Sequence, residues 1–313
     1  MHAAPVAVSS AVPLPSSDRP MTPSHPPAEL PPRETIERDV RRALDEDVGS
    51  GDITADLLPP DALARARVVT REAAVLCGTA WFEACFHALD PAVRFEWFAG
   101  DGTHVAAGAL VCRIEGRARA LVTGERTALN FLQTLSGTAT ATAAFVDAVR
   151  GTRTTILDTR KTLPGLRLAQ KYAVRVGGGA NHRIGLFDAI LIKENHIVAA
   201  GSLTAAVARA RALHPGAMVE AEVENFGELR EAIAAGADRI MLDEFELHEL
   251  SQAVAEVDGR VPLEVSGSVS LERVRAIAET GVDYVSIGAL TKHVRAIDLS
   301  MRIEMGRGPA TED

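Results

Sequence analysis

VEAEVENFGELREAIAAGADRIMLD, Val219–Asp243, decides the fold. An apolar strand leads into an Ala-rich helix and then into a second apolar strand. The same unit appears on both sides of it. The strands read TTILD, AILIK, VEAEV, RIMLD, LEVS and YVSIG, and the last four recur about every 22 residues. Strand–helix alternation at that period means parallel βαβ units. Six in a row, without a GxGxxG fingerprint, favour a closed or nearly closed α/β barrel over a doubly wound sheet.

Before Gly151 the pattern is different. ETIERDVRRALDEDVG sets Ile36, Val40 and Leu44 on one side of a helix. RARVVTREAAVLCG alternates like a strand, and GTAWFEACFHAL is helical. FEWFAGDGTHVAAGALVCRIEG reads as two strands around a turn at Asp101-Gly102. This order suggests a small α+β domain. A long helix follows, RALVTGERTALNFLQTLSGTATATAAFVDAVRG. Its apolar stripe holds Ala128, Phe131, Leu132 and Leu135, and a polar stripe beside it holds Arg126, Asn130 and Gln133.

The chain has 313 residues, enough for one large α/β domain or two ordinary ones. It is 47% hydrophobic and 24% charged, ordinary for a globular protein. Its net charge of -9 argues against nucleic acid or an anionic membrane as the main partner. Cys77, Cys85 and Cys112 lack metal or disulfide spacing, which suits a reducing, cytoplasmic setting. No apolar run approaches the roughly 20 residues of a membrane span. Residues 1–32, rich in Pro, Ser and Ala, read as a disordered tail without a signal peptide.

Each barrel strand ends in something reactive. The first ends at Asp158, Arg160 and Lys161, the second at Lys193, the third at Glu222 and the fourth at Asp243. The fifth ends at Ser266-Gly267 and the sixth at Gly288-Ala289. The C-terminal strand ends of a barrel share one mouth, where active sites sit. A lone charge there is more often a solvated rim residue, but six strands in concert are not rim decoration. The loop after the first strand adds GGGANHR, with His182 and Arg183, and LRLAQKYAVRV within it can form a helix. Arg160, Lys161, His182, Arg183 and Lys193 therefore converge on one cleft and require an anionic ligand. Two of the chain's four lysines sit at these strand ends. The backbone of the last two strand ends is placed to hold a phosphate. The residues thus ask for a small, multiply anionic substrate that includes a phosphate; they do not name the reaction.

The segments GDITADLLP, GERTALNFLQTLSGTAT, ILDTRKTLPGLR, KYAVRVGGGANHRIGLFDAILIKENHI, EAEVENF, IMLDEF, LEVSGS and DYVSIGALT resemble the quinolinate phosphoribosyltransferase family over residues 34–300. The resemblance implies an N-terminal open-faced α/β sandwich domain plus an incomplete seven-stranded α/β barrel. The sandwich would take residues 33–135, joined by the C-terminal segment 291–313, and the barrel residues 136–290 would carry the site. It implies a pentosyltransferase of NAD biosynthesis that joins quinolinate to 5-phosphoribosyl-1-pyrophosphate and decarboxylates the product to nicotinate mononucleotide. Arg160, His182 and Arg183 would hold the carboxylates of quinolinate. Lys161 and Lys193 would lie between the two substrates, with Lys193 near the pyrophosphate. Glu222 and Asp243 would bind the ribose hydroxyls, directly or through Mg²⁺, and stabilise positive charge at C1. Ser266, Gly267, Gly288 and Ala289 would hold the 5-phosphate. Arg126 would reach the quinolinate of the partner subunit in a homodimer. No organic cofactor is implied.

The sequence departs from the family pattern at a few points. Ser268 replaces a usual glycine, which would strain the phosphate loop if φ were positive there. Lys292 stands where histidine is common, and Glu194 stands for the usual aspartate. The alternatives are a same-fold paralogue acting on another pyridine or pyrimidine acid, a Schiff-base lyase using Lys193, and a binding protein on an inactive barrel. Turnover of quinolinate, borohydride trapping and loss of turnover separate them. Asp158 reads either as a member of the site or as a brace for Arg160 and Lys161.

Overall fold

The computed structural model of the protein describes residues 28–305. Most of the expected tail, residues 1–27, lies outside them. Residues 28–32, also expected in that tail, are tied to the fold: Ala28 packs against the core, and the Glu29 carbonyl accepts from the Arg175 guanidinium.

The first layer opens with α1 (Arg33–Val48), whose Ile36, Val40 and Leu44 are buried along one side. Then come β1 (Leu63–Thr70), β2 (Ala74–Val75), α2 (Thr79–Leu89), β3 (Arg94–Trp97), β4 (His104–Val105) and β5 (Leu110–Arg117). In β1, Ala64, Ala66, Val68 and Thr70 are buried, while Leu63, Arg65 and Arg67 face solvent. The period of two gives the sheet one wet and one dry face. On the wet face Arg65 pairs with Glu115, Arg113 with Glu96 and Arg67 with Glu304. Such exposed cross-strand pairs contribute at most about 1 kcal/mol each. On the dry face Trp81, Phe82 and Phe86 of α2 pack on Leu121, Leu129, Leu132 and Leu135 of α3 (Ala118–Ala148). This is a sandwich open on one side.

As expected, the two strands on either side of the Asp101-Gly102 turn, β3 and β5, pair antiparallel, while the short β4 between them pairs with β2. Asp101 also serves α2: its Oδ1 accepts from Gly78 N at 3.0 Å and Thr79 N at 3.1 Å, capping the helix from a distance. Its Oδ2 accepts from Tyr172 Oη at 2.7 Å.

α3 runs 31 residues and touches both sheets. The boundary expected between residues 135 and 136 therefore falls inside one continuous helix. Gly137 lets the chain near Arg295 pass: a Cβ there would come within 2.2 Å of the Arg295 carbonyl oxygen. Gln133, expected on the polar stripe, binds inward; its Nε2 donates to Leu299 O at 3.2 Å.

The second layer consists of β6 (Thr155–Leu157), α4 (Arg167–Val176), β7 (Ala189–Ile192), α5 (Glu194–Ala200), α6 (Leu203–Leu213), β8 (Met218–Val223) and α7 (Phe226–Ala235). It continues with β9 (Arg239–Leu242), α8 (Leu247–Val257), β10 (Leu263–Val265), α9 (Leu271–Glu279), β11 (Tyr284–Ser286) and α10 (Ala289–Lys292). The strands are parallel, in the order β6-β11-β10-β9-β8-β7. The expected seventh strand is present only as a single parallel bridge, Ala180 to Leu157, on the free side of β6. The barrel is thus six strands and one residue, incomplete between β6 and β7. The chain ends its described course in β12 (Leu299–Met305), which crosses back and pairs antiparallel with β1. Among the described residues, no helix is long and apolar enough to cross a membrane.

Candidate active site

The barrel strands sort their side chains by parity. Val219, Ala221, Val223, Ile240, Leu242, Leu263, Val265, Val285 and Ile287 belong to the apolar core under the helices. Successive strand residues face opposite ways. Their neighbours therefore face the barrel interior, and most of those neighbours, Met241 excepted, are polar. Near the C-terminal strand ends they are Lys193, Glu222, Asp243, Ser266 and Gly288. One step deeper lie Glu220, Arg239, Glu264, Tyr284 and Ser286. The register sets Glu220 opposite Arg239, and both Glu222 and Glu264 opposite Met241. An interior with two polar tiers is a site, since a structural barrel fills this space with branched apolar side chains.

The upper tier gathers most of the expected residues. Lys193 begins α5, and its ammonium pairs with Glu222. Asp243 is half-buried at the end of β9, where Glu244 adopts a φ of 59°. The neighbouring Glu224 carboxyl is pushed up by partial desolvation, then by surrounding carboxylates that include Asp243 and Glu222. Lys161 lies across Gly288, where a Cβ would come within 2.9 Å of the lysine Cδ. Gly288 therefore cannot carry a side chain without displacing Lys161. In the loop after β10 the positive φ of 120° falls on Gly267. Ser268 has no positive φ, so the strain anticipated for it does not arise. Lys292 is exposed at the end of α10.

The Arg160 and Arg183 charges are near enough to repel each other. Burial lowers the pKa of the Arg183 guanidinium, and the nearby Arg160 charge lowers it further. Arg160 Nε is buried with no hydrogen-bond partner among the described residues. Arg183 uses one Nη1 contact, 3.2 Å to Ala189 O. Guanidiniums with spare donors are suited to holding carboxylates or phosphates.

His182 is placed differently from the other cations. It is buried, and Nδ1 accepts from Arg183 N at 2.7 Å. Nε2 lies 2.8 Å from Glu220 Oε2 and 3.6 Å from Glu264 Oε1, close but poorly aligned for a hydrogen bond. Both ring nitrogens thus face protein groups rather than the mouth. Burial alone would lower the imidazole pKa, but the two carboxylates reverse this and raise it. Burial, then the Glu220 charge, pushes Glu264 up to about 7. Arg239 donates to Glu264 Oε2 at 3.0 Å and stacks on Tyr284, 4.2 Å from the ring centre.

These three donor atoms lie within 4.8 Å of one another, a set a divalent cation could use. The tautomer opposes that use. With Nδ1 accepting, Nε2 carries the proton, whereas a metal-bound histidine normally donates from its second nitrogen. The cluster suits a shared proton better than a metal.

Asp158 belongs to neither tier. It faces α4, where its Oδ1 pairs with the buried Lys171 ammonium. Sequence reasoning did not single out Lys171, Glu220, Glu264 or Arg239. The last three have a readable signal: each shares strand parity with an expected site residue. Lys171 has none beyond its scarcity. Arg126 is exposed on α3 and makes no ion pair with another described residue. One turn along, Thr127 and Asn130 border a hollow of about 250 Å³.

Comparison with known proteins points to one family. Residues 52–136 match the N-terminal domain of quinolinate phosphoribosyl transferase, and residues 138–302 match its C-terminal domain. The nicotinate-nucleotide pyrophosphorylase [carboxylating] of Mycobacterium leprae is 43% identical over 272 residues, 84% of this chain and 95% of that protein. A tobacco quinolinate phosphoribosyltransferase [decarboxylating] is 41% identical, covering 85% of this chain and 81% of its own. The solved nicotinate-nucleotide pyrophosphorylase of Francisella tularensis superposes with a TM-score of 0.86 at 47% identity, covering 90% of this chain and all of that one.

Proposed function

The chain belongs to the quinolinate phosphoribosyltransferase family, and from that premise we propose how its barrel mouth performs the family's reaction. The protein transfers the phosphoribosyl group of 5-phosphoribosyl-1-pyrophosphate to quinolinate, with decarboxylation, in NAD biosynthesis. The observation that supports the site reading is the pair of mutually repelling cations Arg160 and Arg183, with the Arg160 Nε buried and unpartnered among the described residues, together with the Lys193–Glu222 pair.

In this reading, Arg160 and Arg183 grip the adjacent carboxylates of quinolinate. Lys161 spans from that ring toward the 5-phosphate, which the backbone at Ser266, Gly267, Gly288 and Ala289 holds. The position of Lys161 over Gly288 supports this span. Lys193 exchanges its Glu222 partner for the leaving pyrophosphate. As the C1–oxygen bond breaks, Glu222 and Asp243 stabilise positive charge on the ribose. The pyridine nitrogen forms the new bond to C1 and becomes cationic. The C2–carboxylate bond then breaks, its electron pair stays on C2 facing that cation, CO₂ leaves, and C2 takes up a proton. The protein's work is to hold two mutually repelling anions in register.

Glu222 and Asp243 would also hold Mg²⁺ arriving with the pyrophosphate substrate. The acidic surroundings felt by Glu224 fit a divalent cation there. Such an ion would neutralise phosphate charge. His182, carried over as a quinolinate ligand, faces the deeper carboxylates here, so a direct contact requires its ring to turn. We further propose a homodimer in which Arg126 reaches the partner's quinolinate; its exposure without an ion-pair partner among the described residues supports that role. A cytoplasmic location fits the three buried free thiols, Cys77, Cys85 and Cys112.

The test is direct. The purified full chain, given quinolinate, phosphoribosyl pyrophosphate and Mg²⁺, yields nicotinate mononucleotide and CO₂. A folded protein that forms neither overturns the reading. Turnover of nicotinate without CO₂ release would instead indicate a paralogue.

A further inference from the structure

Two of the expected anion ligands, His182 and Arg183, sit on a turn rather than on a strand. The chain reaches that turn through Gly177, Gly178 and Gly179. Glycine backbone does not fix its own course. Something outside the turn must hold it to the fraction of an ångström that substrate positioning needs.

The buried Lys171–Asp158 pair does this. Lys171 is 1% exposed and Asp158 0%. Asp158 Oδ1 accepts from the His182 backbone N–H at 2.9 Å, and Lys171 Nζ donates to the His182 carbonyl at 3.0 Å. Both peptide groups of His182 thus end on the ion pair. Asn181 Nδ2 donates to Asp158 Oδ2 at 2.6 Å and to the Lys171 backbone carbonyl at 2.9 Å, so the preceding residue is strapped to the same two residues.

Burial drives both groups toward neutrality, raising Asp158 and lowering Lys171. Their mutual contact and the two amide donors oppose that. A buried ion pair is a poor device for stability, since well-packed apolar residues often serve as well. It is a good device for fixing one geometry.

The location matters. Asp158 is two residues before Arg160, and His182 is one residue before Arg183. The pair therefore bridges the two short segments that carry the two guanidiniums. We propose that Lys171, through Asp158, is a positioning residue that sets the Arg160–Arg183 spacing and so selects a vicinal dicarboxylate. Lys171 is too buried to touch substrate itself. The proposal rests on the quinolinate reading of this site.

The test uses the full chain and two variants, Lys171→Met and the double variant Lys171→Met/Asp158→Asn. The single variant leaves an unpaired buried carboxylate and loses thermal stability. The double variant removes both charges and regains much of it. In the folded double variant the KM for quinolinate rises about tenfold or more, while the KM for phosphoribosyl pyrophosphate stays within about twofold. A general loosening would move both constants together. Hydrogen exchange of the His182 and Arg183 amides, measured without substrate, accelerates about tenfold while that of α9 is unchanged. A quinolinate KM that stays at the wild-type value, or two constants that rise in parallel, overturns the positioning role. If the wild-type protein turns over neither substrate, the family reading of this chain fails on its own. The exchange of the His182 amide then still decides whether the ion pair holds the turn: acceleration supports it and wild-type exchange overturns it.

Discussion

Replacing Glu264 by glutamine should flatten the fall of stability with rising pH. Glu264 is fully buried, and burial with the Glu220 charge lifts its carboxyl from 4.5 to about 7. At about 1.4 kcal/mol per pH unit, that rise corresponds to about 3 kcal/mol of differential protonation energy. A raised folded-state pKa has a definite sign. Below pH 4.5 both states hold the proton and the full stability is present. Between 4.5 and about 7 the unfolded chain loses its proton while the folded chain keeps it, so stability falls with pH. Above about 7 the contribution is gone. His182, raised from 6.5, acts in the same direction over a higher range. Glutamine mimics the protonated acid, and its oxygen can still accept from Arg239. The wild type should lose about 3 kcal/mol more than Glu264→Gln between pH 5 and pH 8. Guanidinium unfolding at both pH values measures this. Far-UV circular dichroism is the proper probe, because Trp81 and Trp97 both lie in the first layer and report nothing on the barrel. Parallel pH profiles for the two proteins would refute the claim that Glu264 is held protonated in the folded state.

Three further outcomes test the site reading. Arg160→Met should raise the quinolinate KM about tenfold to a hundredfold, the ~1.5–3 kcal/mol of a hydrogen bond to a charged group, with the phosphoribosyl pyrophosphate KM nearly unchanged. Steady-state kinetics in each substrate checks it. Lys193→Met should lower kcat by about a hundredfold or more with the fold intact, since it removes charge stabilisation at the leaving group. A change confined to KM would contradict that role. Mixing Arg126→Ala with Lys193→Ala under subunit exchange should restore about a quarter of wild-type activity, because half the dimers then contain one intact site. No recovery would count against a shared site.

How much of this was visible in the sequence follows from which forces are local. The strands and helices of the barrel are written in apolar period and turn residues, so their order and the mouth they share could be read. So could Lys193, Glu222 and Asp243, because a polar residue closing an apolar strand is a local signal. The capping of α2 by Asp101 was not readable, because its partners lie 22 and 23 residues away in the chain. Lys171 was invisible for the same reason. It sits in an amphipathic helix 13 residues from Asp158, and nothing in either segment announces the other.

Parity was a signal left unused, and it resolves the remaining ambiguity at Asp158. In VEAEV, Val219, Ala221 and Val223 face the helices, so Glu220 and Glu222 must face inward. In RIMLD, Ile240 and Leu242 face the helices, and Asp243 must face inward with Arg239. In TTILD it is Ile156 that packs under the helices, and Asp158 shares its parity. Asp158 therefore had to face outward, away from the mouth, although it closes its strand as Asp243 does. An outward, fully buried carboxylate needs a cation on the covering helix. The only lysine between it and the end of the NHR turn is Lys171 on α4, apart from the mouth residue Lys161. Read this way, Asp158 holds the wall through Lys171, while Arg160 and Lys161 lie beyond the end of β6, where strand parity no longer sorts side chains.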